Sequence, residues 1–294
     1  MEHLNNIYFI LIESVTIIFS WKKLFTQITF ATILPLSLLS LLHAHISKLL
    51  FSNIQNPSFN NINPNKWRVF LFNAAYIVLF LALSLVSTTA VVEAVARVYT
   101  SSEPRFTEVM RVALKVWKRV TATLLWSLLL LVSYNAAAFA LISPWIPYSL
   151  IFFSAYAVGF VYISVVWHLA SVVSVLEDLG GADAMIKGMG LVKGRMVISG
   201  VVFFLLNLCF VCVEVVFERY VVVGIGRRIG CGIVCLLVFC GITLLGLVTQ
   251  TVVYFECKLY HGEIIIIPIA NSKDARVDLG DYAPLIRSNE VDRC

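Results

Sequence analysis

Six stretches of this chain are each long and apolar enough to cross a lipid bilayer as a helix, and no other feature restricts the fold so severely. They lie at about 24–42, 69–92, 120–142, 148–173, 196–217 and 231–255. A hydrocarbon core about 30 Å thick needs about 20 apolar residues at helical rise, and backbone polar groups inside it must be satisfied within the segment or within a closed barrel. No alternating barrel pattern competes, so the expected fold is an all-α polytopic bundle of six transmembrane helices. Composition agrees: 60% of the 294 residues are hydrophobic and 13% are charged, against roughly 45–50% and about 25% in soluble domains. A soluble globule, a disordered chain and a nucleic-acid binder are thereby excluded, since the net charge of +5 is too small to act as a polyanion-binding surface.

Lysine and arginine placement sets an expected orientation, because short basic loops stay cytosolic. Sixteen of the 22 basic residues fall on one side of the six spans and six on the other. With an even span count, both termini are expected in the cytosol, in an endomembrane or the plasma membrane. Residues 1–6 contain Glu2 and no lysine or arginine, so no cleaved signal peptide is expected. Asn56-Pro57-Ser58, in the loop over 43–68, fails as a glycosylation acceptor because proline occupies its middle position.

Short motifs recur along the chain. Trp21-Lys22-Lys23, Trp117-Lys118-Arg119 and Val192-Lys193-Gly194-Arg195 precede the first, third and fifth spans. Glu93, Glu177-Asp178 and Glu256 follow the second, fourth and sixth. This suggests a pseudo-threefold repeat over 7–95, 103–178 and 181–258, each unit an interfacial helix and a helical hairpin, within a membrane domain over 1–270 followed by a flexible cytosolic tail over 271–294. The clearest interfacial helix spans 103–119. Phe106, Val109, Met110, Ala113, Trp117 and Val120 share one face, opposite Glu108, Arg111, Lys115, Lys118 and Arg119. Arg111, Lys115, Lys118 and Arg119 are the candidate contacts to anionic lipid headgroups; packing beneath the bundle is the alternative. Counterparts lie over 10–23 and 182–192, the latter weakened by Gly188 and Gly190. The recurring acidic residues are expected to pair with the basic segments as packing devices of about 0–1 kcal/mol each if exposed.

Ionisable groups inside spans are functional candidates because an unpaired charge in lipid is costly. Asn207, Glu214 and Glu218 share a face of the fifth span, which either lines a cavity or forms the span's solvated end. Ser164, His168 and Ser171 form a second stripe on the fourth, either a substrate or proton site or an ordinary interhelical hydrogen bond. Seven cysteines read as small apolar residues; Cys209-x-x-Cys212 lies in a span, where a reactive thiolate is disfavoured. Cys257 is a candidate palmitoylation site, and Cys294 ends the chain without a prenylation box. No cofactor, metal set, G-x-S-x-G, H-E-x-x-H or P-loop string is found, so no enzyme is expected.

The segment from Glu177 through Gly180-Gly181-Ala182-Asp183 to Leu191-Val192-Lys193-Gly194-Arg195, with Val253-Tyr254-Phe255-Glu256-Cys257-Lys258 and His261-Gly262-Glu263, resembles a family of multi-pass membrane proteins of land plants. More distantly, the helix, Leu-Val-Lys-Gly-Arg and span arrangement is similar to the bacterial membrane domain that accompanies glycerophosphodiester phosphodiesterases. The resemblance implies fold and topology but no activity, and no catalytic residue transfers. The leading functional expectation is a non-enzymatic scaffold or membrane-organising component, partnered by membrane lipids and by homo- or hetero-oligomer contacts. The alternative is a small-molecule or lipid transporter using His168, Asn207 and Glu214. A polar cavity reaching those three residues favours transport, and a centre filled with leucine and valine favours the scaffold.

Overall fold

A computed structural model describes residues 2–43, 64–99, 105–142, 149–220, 225–262, 265–267 and 275–277. Among these, six helices are long and apolar enough to cross a membrane, over Lys22–His43, Phe70–Tyr99, Phe106–Ala140, Ser154–Leu176, Met196–Arg219 and Gly230–Tyr260. The chain is an all-α multi-pass membrane bundle. We label the helices α1 (Glu2–Ser20), α2 (Lys22–His43), α3 (Pro64–Tyr99), α4 (Phe106–Ile142), α5 (Ser149–Leu176), α6 (Ala182–Val192), α7 (Met196–Tyr220) and α8 (Ile225–Tyr260). Beyond α8, a short antiparallel ribbon pairs Ile265–Ile267 with Ala275–Val277. It reaches into the segment expected to be a flexible tail. Most of that tail, including Cys294, and the Asn56 loop lie outside the described residues.

Local chemistry explains the irregularities. In α2, Pro35 has no N–H to offer the carbonyl four residues back, and the turn just before it, Thr29–Ile33, widens to π geometry with Leu34 N–H bonded to the Thr29 carbonyl. Thr29 and Thr32 return their hydroxyls to the carbonyls of Phe25 and Ile28, at 2.7 and 2.9 Å. Such back-bonding keeps hydroxyls satisfied where no water competes, and Ser14, Thr89 and Ser127 do the same.

The interfacial segment over 103–119 is not a separate element. Residues 106–142 contain neither proline nor glycine, so α4 continues unbroken from the basic stretch into the third span. Its apolar stripe turns toward protein: Val109, Ala113 and Val120 are buried, whereas Trp117 is exposed. The segment over 10–23 divides at Trp21, where α1 ends and α2 begins. Here too the inner face packs on protein, burying Ile10, Glu13, Ser14 and Ile17, with Ser14 Oγ accepting a 3.2 Å bond from Thr249 of α8 and Tyr99 donating to Glu13 at 2.8 Å.

Helix α6 forms as expected, but its weak propensity serves packing. A Cβ on Gly188 would stand 3.2 Å from the Ala170 nitrogen and 3.3 Å from the Val166 oxygen, so the missing side chain is what lets α6 lie directly on the backbone of α5. Its exit needs a second glycine. Gly194 has φ +96° and sits beneath the Tyr260 ring, where a Cβ would come within 2.7 Å.

Burial is uneven along the bundle. From Thr89 to Arg97 every residue of α3 is buried, and Val165–Val166, Leu169–Ala170 and Val172–Leu176 of α5 and Val248–Phe255 of α8 match it. At the opposite end Phe70, Val78, Phe139, Val158 and Leu237 are exposed, toward lipid in a membrane. The helices converge at the end bearing Tyr99, Leu176 and Tyr260, and open toward the other.

Candidate intramembrane site

The convergent end is fastened by ions rather than by apolar contact alone. Glu177 lies just past α5. One carboxylate oxygen accepts from Tyr254 at 2.6 Å and from Lys258 at 2.8 Å, and the other pairs with Lys187 at 2.6 Å. Burial by itself would raise this carboxyl, but the hydrogen bonds from Lys187, Lys258 and Tyr254 and the Lys258 charge outweigh it and hold it below the ordinary glutamate value. Lys258 is only 5% exposed and Glu177 12%, so the small value that applies to an exposed pair does not apply here. Arg97 bridges Glu93 at 2.8 Å and Glu108 at 2.7 Å, tying α3 to α4. Arg195 lies 3.5 Å from Glu256 and over the Tyr260 ring.

Arg119, expected among the headgroup contacts, instead turns to the end of α5. Its Nε donates to the Ser174 carbonyl at 2.8 Å, a second nitrogen reaches the Val175 carbonyl, and a third pairs with Asp178. These are carbonyls of the last turn of α5, which have no helical partner of their own, so Arg119 caps that helix from outside. Arg111, Lys115 and Lys118 are exposed and remain available to headgroups. Cys257 is 1% exposed, with Ser199 Oγ 4.0 Å from its sulfur. The palmitoylation expectation is therefore corrected, since an acylating enzyme has no access to a thiol packed between helices.

Above this fastened end lies a cavity of about 470 Å³ to which all six spans contribute. Leu36 and Ser40 come from α2, Phe80, Ser84, Ser87 and Thr88 from α3, and Thr123, Leu124 and Leu128 from α4. Trp167, His168 and Ser171 come from α5, Phe210 and Glu214 from α7, and Phe239, Thr243, Leu247 and Gln250 from α8. Its volume falls within the roughly 300–1,000 Å³ typical of small-molecule sites. A larger recess of about 680 Å³ opens on the outer face between α4, α5 and α6, lined by Trp126, Leu130, Tyr162, Met185 and Met189 among others. Among the described residues it has no charged or histidine side chain on its lining.

Of the expected site residues, the cavity gathers His168 and Glu214 and leaves out Asn207. Asn207 is exposed and donates at 2.8 Å to the Phe203 carbonyl of its own helix. Glu218 is exposed and is also not among the lining residues. His168 stacks on Phe203, with ring centroids 4.5 Å apart, and its Nδ1 lies 3.0 Å from the amide oxygen of Gln250. With the amide oxygen turned toward it, Nδ1 is the donor of this contact, and in that tautomer Nε2 presents a lone pair. Ser171 lines the wall beside it and gives its hydroxyl to the His168 carbonyl.

Gln250 is the residue that the sequence did not single out. It is 2% exposed, and its amide nitrogen has no hydrogen-bond partner; the same holds for the hydroxyl of Ser87, which is fully buried. Both residues line the cavity. Unpaired buried polar groups are rare because each costs about 1–3 kcal/mol; these two atoms are closed to water as placed, and Ser37 Oγ, on a residue outside the cavity lining, is a third of the same kind. The available signal was an amide in mid-span, flanked by Thr249 and Thr251. Among the described residues no cluster of three or more His, Cys, Asp or Glu side chains is arranged to hold a metal ion.

The family model Domain of unknown function (DUF8558) matches residues 1–292 of the chain. No curated protein and no solved structure matches it.

Proposed function

This chain belongs to the DUF8558 family, and since membership supplies no activity, we propose from the cavity itself that the protein binds a small molecule between its six spans and carries it across the membrane without covalent chemistry. The single observation that carries this reading is the cavity shared by all six spans, polar at His168 and Gln250, with Glu214 as its one charged lining residue among the described residues. A scaffold has no need of an open, hydroxyl- and amide-lined interior, since polar groups in a bilayer are costly unless used. Serving the alternative reading, the exposed Arg111, Lys115 and Lys118 are suited to an anionic leaflet and to assembly with a partner.

The fastened end fits the same reading. Carriers work by rocking or gating around a site near the membrane midplane. Here one end is locked by Glu177, Lys187 and Lys258 while the other is open. The excess of basic residues at the locked end supports cytosolic termini in an endomembrane or the plasma membrane. Kinship with the land-plant proteins, and with the membrane domain beside glycerophosphodiester phosphodiesterases, belongs to this proposal as well and brings no catalytic residue. The test is tracer uptake by proteoliposomes of the full chain, using amines, acids and neutral polyols, against Ser84→Phe, which fills the cavity. Uptake of one class above protein-free liposomes, lost in Ser84→Phe, supports carriage. Uptake of no class, with partner proteins crosslinked through α4, returns the reading to a scaffold.

A further inference from the structure

We infer that the ligand of this cavity is a small organic monocation bearing a hydroxyl at its uncharged end, an inference that rests on the cavity being a binding site. Two groups of residues carry it.

At one end is Glu214, an exposed residue of α7 that lines the cavity. Among the described residues no lysine, arginine or aspartate lines the cavity, so its carboxylate is the one formal charge they bring to the wall. Among the described residues no hydrogen bond or ion pair holds it. Arg219 lies five residues on, away from the same helical face. A carboxylate without a cation in a largely apolar cavity selects a positively charged guest and repels anions. The walls decide which cation. Phe80, Trp167, Phe210 and Phe239 surround the space, and their ring faces attract an ammonium. A hydrated metal ion needs six or more oxygens, and one carboxylate among aromatic rings does not supply them.

At the other end the unsatisfied groups are neutral. The Gln250 amide nitrogen and the Ser87 hydroxyl are unpartnered and reach a guest when their side chains turn to the cavity, beside the His168 Nε2 lone pair. A hydroxyl on the guest, like a water molecule, accepts from the amide while donating to the imidazole. A carboxylate or phosphate finds no cation there, and an alkyl end leaves Gln250 and Ser87 without partners.

The experiment compares three probes on the purified full chain in detergent. They are an ω-hydroxyalkyl-trimethylammonium, its alkyl-trimethylammonium analogue without the hydroxyl, and the neutral tert-butyl isostere of the first. Binding is read by isothermal calorimetry. The hydroxylated cation should bind roughly tenfold or more tighter than the neutral isostere, and roughly threefold to tenfold tighter than the cation without a hydroxyl. Glu214→Gln should abolish the first difference and keep the second. Gln250→Leu should abolish the second and keep the first, with Ser87→Ala reducing it in a background less prone to misfolding. If the neutral isostere binds as well as the cation, or Glu214→Gln leaves the charge preference intact, the ligand class is wrong while the cavity reading stands, provided Ser84→Phe still blocks binding. If none of the three probes binds in any variant, and uptake of every tracer class is likewise indifferent to Ser84→Phe, both this inference and the proposed function fall.

Discussion

Replacing Glu177 by alanine tests the locked end most severely. The carboxylate receives Tyr254 at 2.6 Å, Lys258 at 2.8 Å and Lys187 at 2.6 Å. Lys187 is 30% exposed, so solvent screens its share to about 1 kcal/mol or less. Lys258 is different, because at 5% exposure it would lose its carboxylate partner while staying buried, with the Tyr254 hydroxyl 3.3 Å away. Removing one partner of a buried pair costs about 3–5 kcal/mol, and Glu177→Ala should fall in that range. Glu177→Gln retains an acceptor for Tyr254 and should cost roughly half as much. Equilibrium unfolding of the purified chain in mild detergent reads both. The decisive comparison adds Lys258→Met, which removes the stranded cation along with its partner. The double variant should recover about 1–3 kcal/mol relative to the sum of the singles. A cost below 1 kcal/mol for Glu177→Ala, or strictly additive losses, would show that the cluster is surface decoration and refute the reasoning.

Four further outcomes follow from the same geometry. Because the folded Glu177 carboxyl sits below its unfolded value, its contribution is complete above the ordinary glutamate range and disappears as pH falls through the lower folded value. Unfolding free energies measured from neutral to acid pH should therefore drop in the parent and fall less in Glu177→Gln. Gly188→Ala presses on Ala170 and Val166 backbone atoms at 3.2 and 3.3 Å and should cost about 1–3 kcal/mol, Gly188→Leu more, read by the same unfolding assay. Arg119→Met uncaps α5 while removing only a surface pair with Asp178, which is 88% exposed; a loss of about 1–2 kcal/mol is expected, against almost none for Asp178→Asn. Acyl exchange on membrane-extracted protein should find no thioester at Cys257, and labelling of that thiol should require unfolding.

The spans were legible because hydropathy is summed over twenty residues, and the helices agree with the sequence ranges to within a turn or two at most ends. The third is the exception. Hydropathy dated its start to 120, while the absence of proline and glycine from 106 onward, which determines where a helix can continue, pointed to the longer element. His168 and Glu214 were legible as polar residues in apolar company. Gln250 was not, because its meaning depends on His168, 82 residues away, and no local period encodes that contact. Asn207 shared the helical face of Glu214 in projection, yet it satisfies itself on its own backbone, an outcome decided by side-chain length and rotamer. Gly188 shows the limit of propensity: its cost to an isolated helix is real, and the close approach of α5 is what makes glycine suitable there.

The central claim, a cavity shared by the six spans and reaching His168, Gln250 and Glu214, is tested most directly by water access to its wall. Ser84→Cys and Thr88→Cys place thiols on the cavity, and Leu129→Cys places one on the outer face, where the native residue is 58% exposed. Labelling by a membrane-impermeant thiol reagent in proteoliposomes is read as the increment over the parent. The account predicts modification at positions 84 and 88, slowed by Ser40→Phe at the cavity wall, and none at 129. Equal silence at all three positions, or equal reaction at all three, would contradict it.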